Sequence, residues 1–156
     1  MKNVLILSAL CWLLASCSGN DGQKTASTDT PAAGGSSDIE KYDPERGTGK
    51  FTNVDVPPTL DQAMATAGQK IADVKCASCH KLTDEKLVGP GWKGVTQRHK
   101  PEWIMNFVTN VDDMLAKDPK AQAMLEICLV RMPNQNLTDE DARSVYEFMR
   151  KNDGVK

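Results

Sequence analysis

Cys76-Ala77-Ser78-Cys79-His80 is the feature that most narrows what this chain can become. Two thiols three positions apart, followed at once by an imidazole, form the attachment pentapeptide of a c-type haem. The spacing has a chemical reason. Thiols on one turn can add to the two vinyl groups of a porphyrin, and the next residue then projects its ring at the iron. Other uses of the motif are weaker fits. A structural zinc site needs four ligands, and beyond the motif only Cys128 and His99 are on offer, without a second close pair. A thioredoxin-like pair would want a strand before its helix, whereas a helical pattern precedes Cys76. A chance match of three fixed positions is the third alternative.

The cysteine count supports the haem reading. Of five cysteines, Cys11 lies in an N-terminal apolar run and Cys17 closes it. Three are left, Cys76, Cys79 and Cys128, and an odd number in an exported chain argues against a disulfide framework.

Export itself is read from the first residues. Met1-Lys2-Asn3 is a short positive region, and Val4 to Leu14 is an apolar stretch too short to span a membrane. Leu14-Ala15-Ser16-Cys17 looks like the lipobox of bacterial lipoproteins. Residues 1–16 are therefore expected as a lipoprotein signal, and Cys17 as the lipidated N-terminus; an ordinary secretory signal with a chance cysteine is the alternative.

Residues 17–58 are rich in Gly, Ser, Thr, Asp, Pro and Ala, with Thr30-Pro31-Ala32-Ala33-Gly34-Gly35-Ser36-Ser37 as the extreme. Such composition cannot offset the entropy of ordering, so a disordered tether is expected, with a root-mean-square reach of roughly 35 Å. The formal net charge of -2 gives no nucleic-acid footprint.

Residues 59–156 read as one all-α domain. Thr59 with Gln62 looks like a capping box opening a helix to about Lys75. A loop with Gly89-Pro90-Gly91 and Gly94 runs from Cys79 to Lys100. Pro101 opens a second helix to about Asn110, with Trp103, Ile104 and Phe107 turned inward. Pro119 opens a third, to about Leu129. Met132-Pro133-Asn134-Gln135-Asn136 is a non-helical strap. Thr138 followed by Asp139, Glu140 and Asp141 caps a last helix to about Asn152.

Taken together, Gly68 through Lys151 resembles a class I cytochrome c. Gly68 stands where that family keeps a glycine so that its first and last helices can cross. Val145 and Phe148 fall where the last helix supplies partners for the crossing, although Ala72 replaces a frequent aromatic and would loosen it. The resemblance implies one covalent haem c on Cys76 and Cys79, with His80 as axial ligand. It implies a Pro90 carbonyl that accepts from the other imidazole nitrogen and fixes the ring. Met132-Pro133 resembles the family's distal strap, making Met132 the second axial ligand, a soft donor that raises the potential. The remaining methionines at 64, 105, 114, 124 and 149 read as core filler. His99 is a rival ligand read as solvent-facing, and Cys128 a second rival read as a small buried residue. Trp92 and Trp103 are expected around the porphyrin; the resemblance implies an aromatic N–H that reaches a propionate, with Trp103 the better candidate, and plain core packing is the alternative.

With both axial positions filled by protein, the iron has nowhere to bind substrate. An electron carrier rather than an enzyme is expected; a haem enzyme or gas sensor with a displaceable Met132 is the alternative. Partners would be a membrane quinol-oxidising complex and a terminal reductase or oxidase, met on the periplasmic side of the envelope while lipid on Cys17 holds the protein to a membrane. From Lys70 to Lys100, seven basic residues face three acidic ones, a positive region that could steer docking. The runs Pro101-Glu102-Trp103-Ile104-Met105-Asn106 and Met132 to Leu137 are similar to lipoprotein cytochromes that accompany nitrous-oxide reductase. A terminal oxidase or another reductase fits the same residues.

Overall fold

The computed structural model describes residues 42–156. The expected signal 1–16, Cys17 and the linker as far as residue 41 lie outside the described residues. The regular structure is helical, as expected, and among the described residues the only extended pairing is an isolated bridge between His80 and Lys86. No helix among the described residues is long and apolar enough to cross a membrane.

Helix α1 (Gln62–Lys75) starts later than the sequence suggests. Its cap is Asp61, whose side chain accepts from the Met64 amide at 2.9 Å, and not Thr59. Leu60, just before that cap, is buried, and its amide donates to the Lys156 carbonyl at 3.1 Å. The buried face of α1 is Ala65, Gly68 and Ala72, at spacings of three and four. Against it lies α6 (Asp139–Asn152), and this crossing is the most extensive helix contact in the domain. Ala72, expected to loosen the crossing, is buried within it.

The α6 cap follows the sequence. Thr138 and Asp141 form a reciprocal capping box, with both bonds at 3.1 Å, which satisfies two otherwise orphaned amides. Buried Glu147 is held by Arg150 at 2.8 and 2.9 Å and by Arg143.

Between the crossing helices run four shorter ones: α2 (Val95–Arg98), α3 (Pro101–Thr109), α4 (Val111–Lys117) and α5 (Pro119–Cys128). Proline opens α3 and α5 as expected, where its missing N–H costs nothing. Helices α2 and α4 were not anticipated. The α2 end is capped from a distance, because Asp153 accepts from the Gly94 and Thr96 amides at 2.6 and 2.9 Å. Helix α4 buries Val111, Met114 and Leu115 in the core. At the end of α5, Leu129 takes a left-handed conformation (φ 59°) and turns the chain into the strap.

The expected linker boundary at residue 58 is too late. Residues 42–58 lie on the domain as an N-terminal strap, with Phe51, Val54 and Val56 packed against the core. Polar side chains distant in sequence supply its backbone partners. Buried Asn106 accepts from the Phe51 amide at 2.9 Å and donates to the Arg46 and Phe51 carbonyls at 3.1 and 3.0 Å. Glu102 accepts from the Val54 amide at 2.7 Å. Arg150 donates to the Pro57 and Pro58 carbonyls at 2.7 and 3.1 Å.

Candidate functional site

The attachment pentapeptide lies just past the last turn of α1, and the Cys79 and His80 amides both donate to the Cys76 carbonyl, at 3.0 and 2.9 Å. Cys76 is buried, and burial pushes its thiol up to about 11. Cys79 is half-buried and faces a cleft. The loop beyond folds back on the motif, with the Val88 and Gly89 amides both donating to the Cys79 carbonyl at 3.2 and 2.9 Å.

This return places Pro90 beside His80. The imidazole Nδ1 lies 2.9 Å from the Pro90 carbonyl oxygen, which can only accept, so Nδ1 carries the proton and Nε2 is left as a bare donor of electrons. Burial lowers the His80 pKa, and the Pro90 bond opposes that shift. The neutral imidazole is the form that binds a metal. Trp92 supports the ring from behind, its centroid 5.5 Å from that of His80, and meets Phe148 of α6 edge-on at 6.3 Å. Phe148 therefore ties the crossing helices to the ligand.

Two adjoining concavities make up the cleft, with about 540 and 620 Å³ of open space. His80, Pro90, Phe107, Met124 and Met132 line both. His80 comes from the attachment loop and Met132 from the distal strap, so the two sequence-predicted axial ligands share one cleft. Two lysines clasp the attachment side to the distal side, Lys86 through α5 and Lys75 through the strap. Lys86 Nζ donates to the Ile127 carbonyl at 2.8 Å, and Lys75 Nζ to the Gln135 carbonyl at 3.0 Å.

Several sequence-based assignments change. Trp103 is buried at the cleft, but its Nε1–H donates to Asp118 at 3.2 Å and is not free for a propionate. His99 is not solvent-facing: it lines the second concavity and stacks on Trp103, ring centroids 4.0 Å apart. Met124 packs against the core, as expected, and also lines the cleft. Cys128 is half-buried and also lines it. The α5 wall, formed by Ala121, Met124, Leu125 and Cys128, was missed as a site feature, although its spacing of three, four and seven was legible as one helical face.

The residues present fit a flat, covalently attached macrocycle. Cys79 and His80 of the attachment motif line the cleft, the Met132 thioether lines the same space, and the other lining is largely apolar, while the second motif thiol, Cys76, is buried just past α1. His99 Nδ1 is also buried without a hydrogen-bond partner, the only such side-chain atom among the described residues.

Comparison with known proteins agrees. Residues 65–153 match the family model for cytochrome c. The solved cytochrome c from Rhodothermus marinus is 30% identical, with a TM-score of 0.65 covering 67% of this chain and 90% of that one. An engineered form of that protein, Rma TDE, is 29% identical with a TM-score of 0.67, covering 71% of this chain and 98% of its own. The same engineered form bound to a carbene intermediate aligns at a TM-score of 0.64. No curated protein matches this chain significantly by sequence.

Proposed function

This chain belongs to the cytochrome c family and carries a covalent haem c for electron transfer; from that premise we propose that it is a six-coordinate carrier and not an enzyme. Cys76 and Cys79 are the attachment thiols, and His80 and Met132 the axial ligands. One observation supports this above the rest: His80 and Met132, 52 positions apart, line the same cleft, and His80 is already held in the metal-binding tautomer by Pro90. Haem c supplies one-electron iron chemistry when bound. The protein's part is to keep both ligands in both oxidation states, so that little reorganises when the electron moves, and to exclude water with the Phe107, Leu115 and Leu125 wall.

The exported, lipid-anchored reading of residues 1–17 supports a donor and an acceptor met in the cell envelope. The protein would work on the periplasmic side of the envelope, held by lipid on Cys17, and pass electrons from a membrane quinol-oxidising complex to a terminal reductase or oxidase. Nitrous-oxide reductase is one such acceptor, suggested by the runs at Pro101 and Met132. The test is direct electron exchange: quinol-reduced membranes of the source organism should reduce the ferric protein, and a terminal reductase or oxidase preparation should reoxidise it. Exchange with neither sinks the carrier reading. Unchanged nitrous-oxide reduction after gene deletion removes that acceptor alone.

A further inference from the structure

Asp118 is a fully buried carboxylate bonded to two residues of the cleft wall. One oxygen caps α5 by accepting from the Ala121 amide at 2.8 Å, and the other accepts from Trp103 Nε1 at 3.2 Å. Ala121 and Trp103 both line the cleft, so a negative charge stands just behind its surface. A charge in such a place must be compensated. The third donor comes from 76 positions away: the Tyr42 hydroxyl, at the start of the N-terminal strap, donates to the Trp103-side oxygen at 2.6 Å, the shortest bond of the three. Burial first, then Asp118, raise the Tyr42 pKa to about 12, so its oxygen keeps the proton it donates. The same stretch of strap lies over Trp103 itself. A Cβ on Gly47 (φ 69°) would stand 2.7 Å from Met114 Cε and 3.0 Å from Trp103 Cδ1.

We propose that seating of the N-terminal strap, through the Tyr42 hydroxyl on Asp118, raises the reduction potential of the haem, and that reduction in turn tightens the strap. Tyr42 acts through Asp118 and is a positioning residue. The proposal rests on the covalent haem, but not on Met132 or on any particular donor or acceptor.

The sign follows from charge. A carboxylate in a low-dielectric wall favours ferric iron, which carries one more unit of positive charge than ferrous. A short hydrogen bond from Tyr42 draws off part of that negative charge and so favours the ferrous state. Unseating the strap removes the donor and opens the Trp103 wall to water, which also favours the ferric charge. One effect runs the other way. Glu45 of the strap pairs with Lys120 at 2.7 Å, and its departure would leave that lysine's charge uncompensated. Both side chains are substantially exposed, at 51% and 37%, so solvent and salt screen the change, whereas Asp118 is fully buried. The buried group decides. Only an electron moves: the iron takes one from its donor, and no proton or bond is exchanged. Linkage then requires the strap to be held more firmly in the ferrous protein.

Two readings on the full-chain holoprotein test this, once its mass has shown the covalent haem. The reduction potential should be lower in Tyr42→Phe, which keeps a 40% exposed ring in place and removes only its donor. Equal potentials overturn the proposal. Trypsin should cut after Arg46 or Lys50 several-fold faster in the ferric than in the ferrous wild type, and Tyr42→Phe should shrink that ratio. A general stiffening on reduction would act equally on both proteins, so the variant isolates the coupling through Tyr42. A ratio unchanged in the variant, or a ferrous strap released as fast as the ferric one, overturns the proposal. The readings must also agree, each tenfold lost from the ratio matching a fall of about 59 mV in potential. A mass without attached haem would overturn the cofactor assignment and this proposal together.

Discussion

A Cβ built on Gly68 would stand 1.9 Å from the carbonyl oxygen of Ser144 and 2.4 Å from its carbon. Backbone meets backbone here, so no rotamer change can relieve the clash. Gly68→Ala should improve α1 propensity by about 1 kcal/mol. It must also separate α1 from α6 and disturb Val145 and Phe148 in the crossing, a net loss of about 3 kcal/mol. Guanidinium denaturation of the holoprotein measures it. An unchanged midpoint would mean that the crossing does not depend on close approach at this position.

Why some elements were legible and others not is a matter of where their determinants lie. Helix α6 announces itself locally, through Thr138, three following acids and the apolar spacing of Ala142, Val145, Tyr146 and Met149. The α1 start does not, because two candidate caps, Thr59 and Asp61, stand two positions apart, and it is Asp61 that accepts from the Met64 amide. Helix α4 had a readable Val111, Met114 and Leu115 spacing, but its seven residues follow Asn110, which looks like a breaker. Residues 42–58 have a tether's composition; Asn106, Glu102 and Arg150 order them from distant positions. The site shows the same division. The attachment motif and the Met132 strap can be read along the chain and the Pro90 acceptor follows from the resemblance, whereas the capture of Trp103 by Asp118 and the stacking of His99 on Trp103 exist only in three dimensions.

Gly89 gives a second steric prediction. A Cβ there would lie 2.4 Å from His80 Cε1 and 2.8 Å from Nδ1. Gly89→Ala should tilt the imidazole away from Pro90 and weaken it as a ligand, so that a proton displaces the iron more easily. The acid-induced loss of the low-spin spectrum should move to higher pH. An acid transition identical to the wild type's would show that the ring tolerates the added carbon.

The N-terminal strap depends on Asn106. Asn106→Ala removes three hydrogen bonds to the Arg46 and Phe51 backbone and should cost about 2–3 kcal/mol. Trypsin should then cut after Arg46 or Lys50 several-fold faster than in the wild type. Equal cleavage rates would place the hold on the strap elsewhere.

Tyr42 makes the same strap sensitive to alkali. Burial first, then the hydrogen bond to Asp118, raise its pKa from 10.0 to about 12. The folded protein therefore binds more protons than the unfolded chain in that window. The contribution is intact below pH 10 and is lost as pH rises through about 12. Tryptic release of the strap should accelerate across this window in the wild type and less steeply in Tyr42→Phe. Parallel profiles would show that another group governs the alkaline release.

Coordination of the iron is the central claim, and the visible spectrum of the ferrous holoprotein under carbon monoxide tests it most directly. His80 and Met132 together predict a sharp low-spin spectrum that the gas does not move, and one that it does move in Met132→Ala but not in Met124→Ala. A wild-type spectrum that is high-spin, or that shifts as soon as the gas is added, would contradict the account and open the iron to substrate.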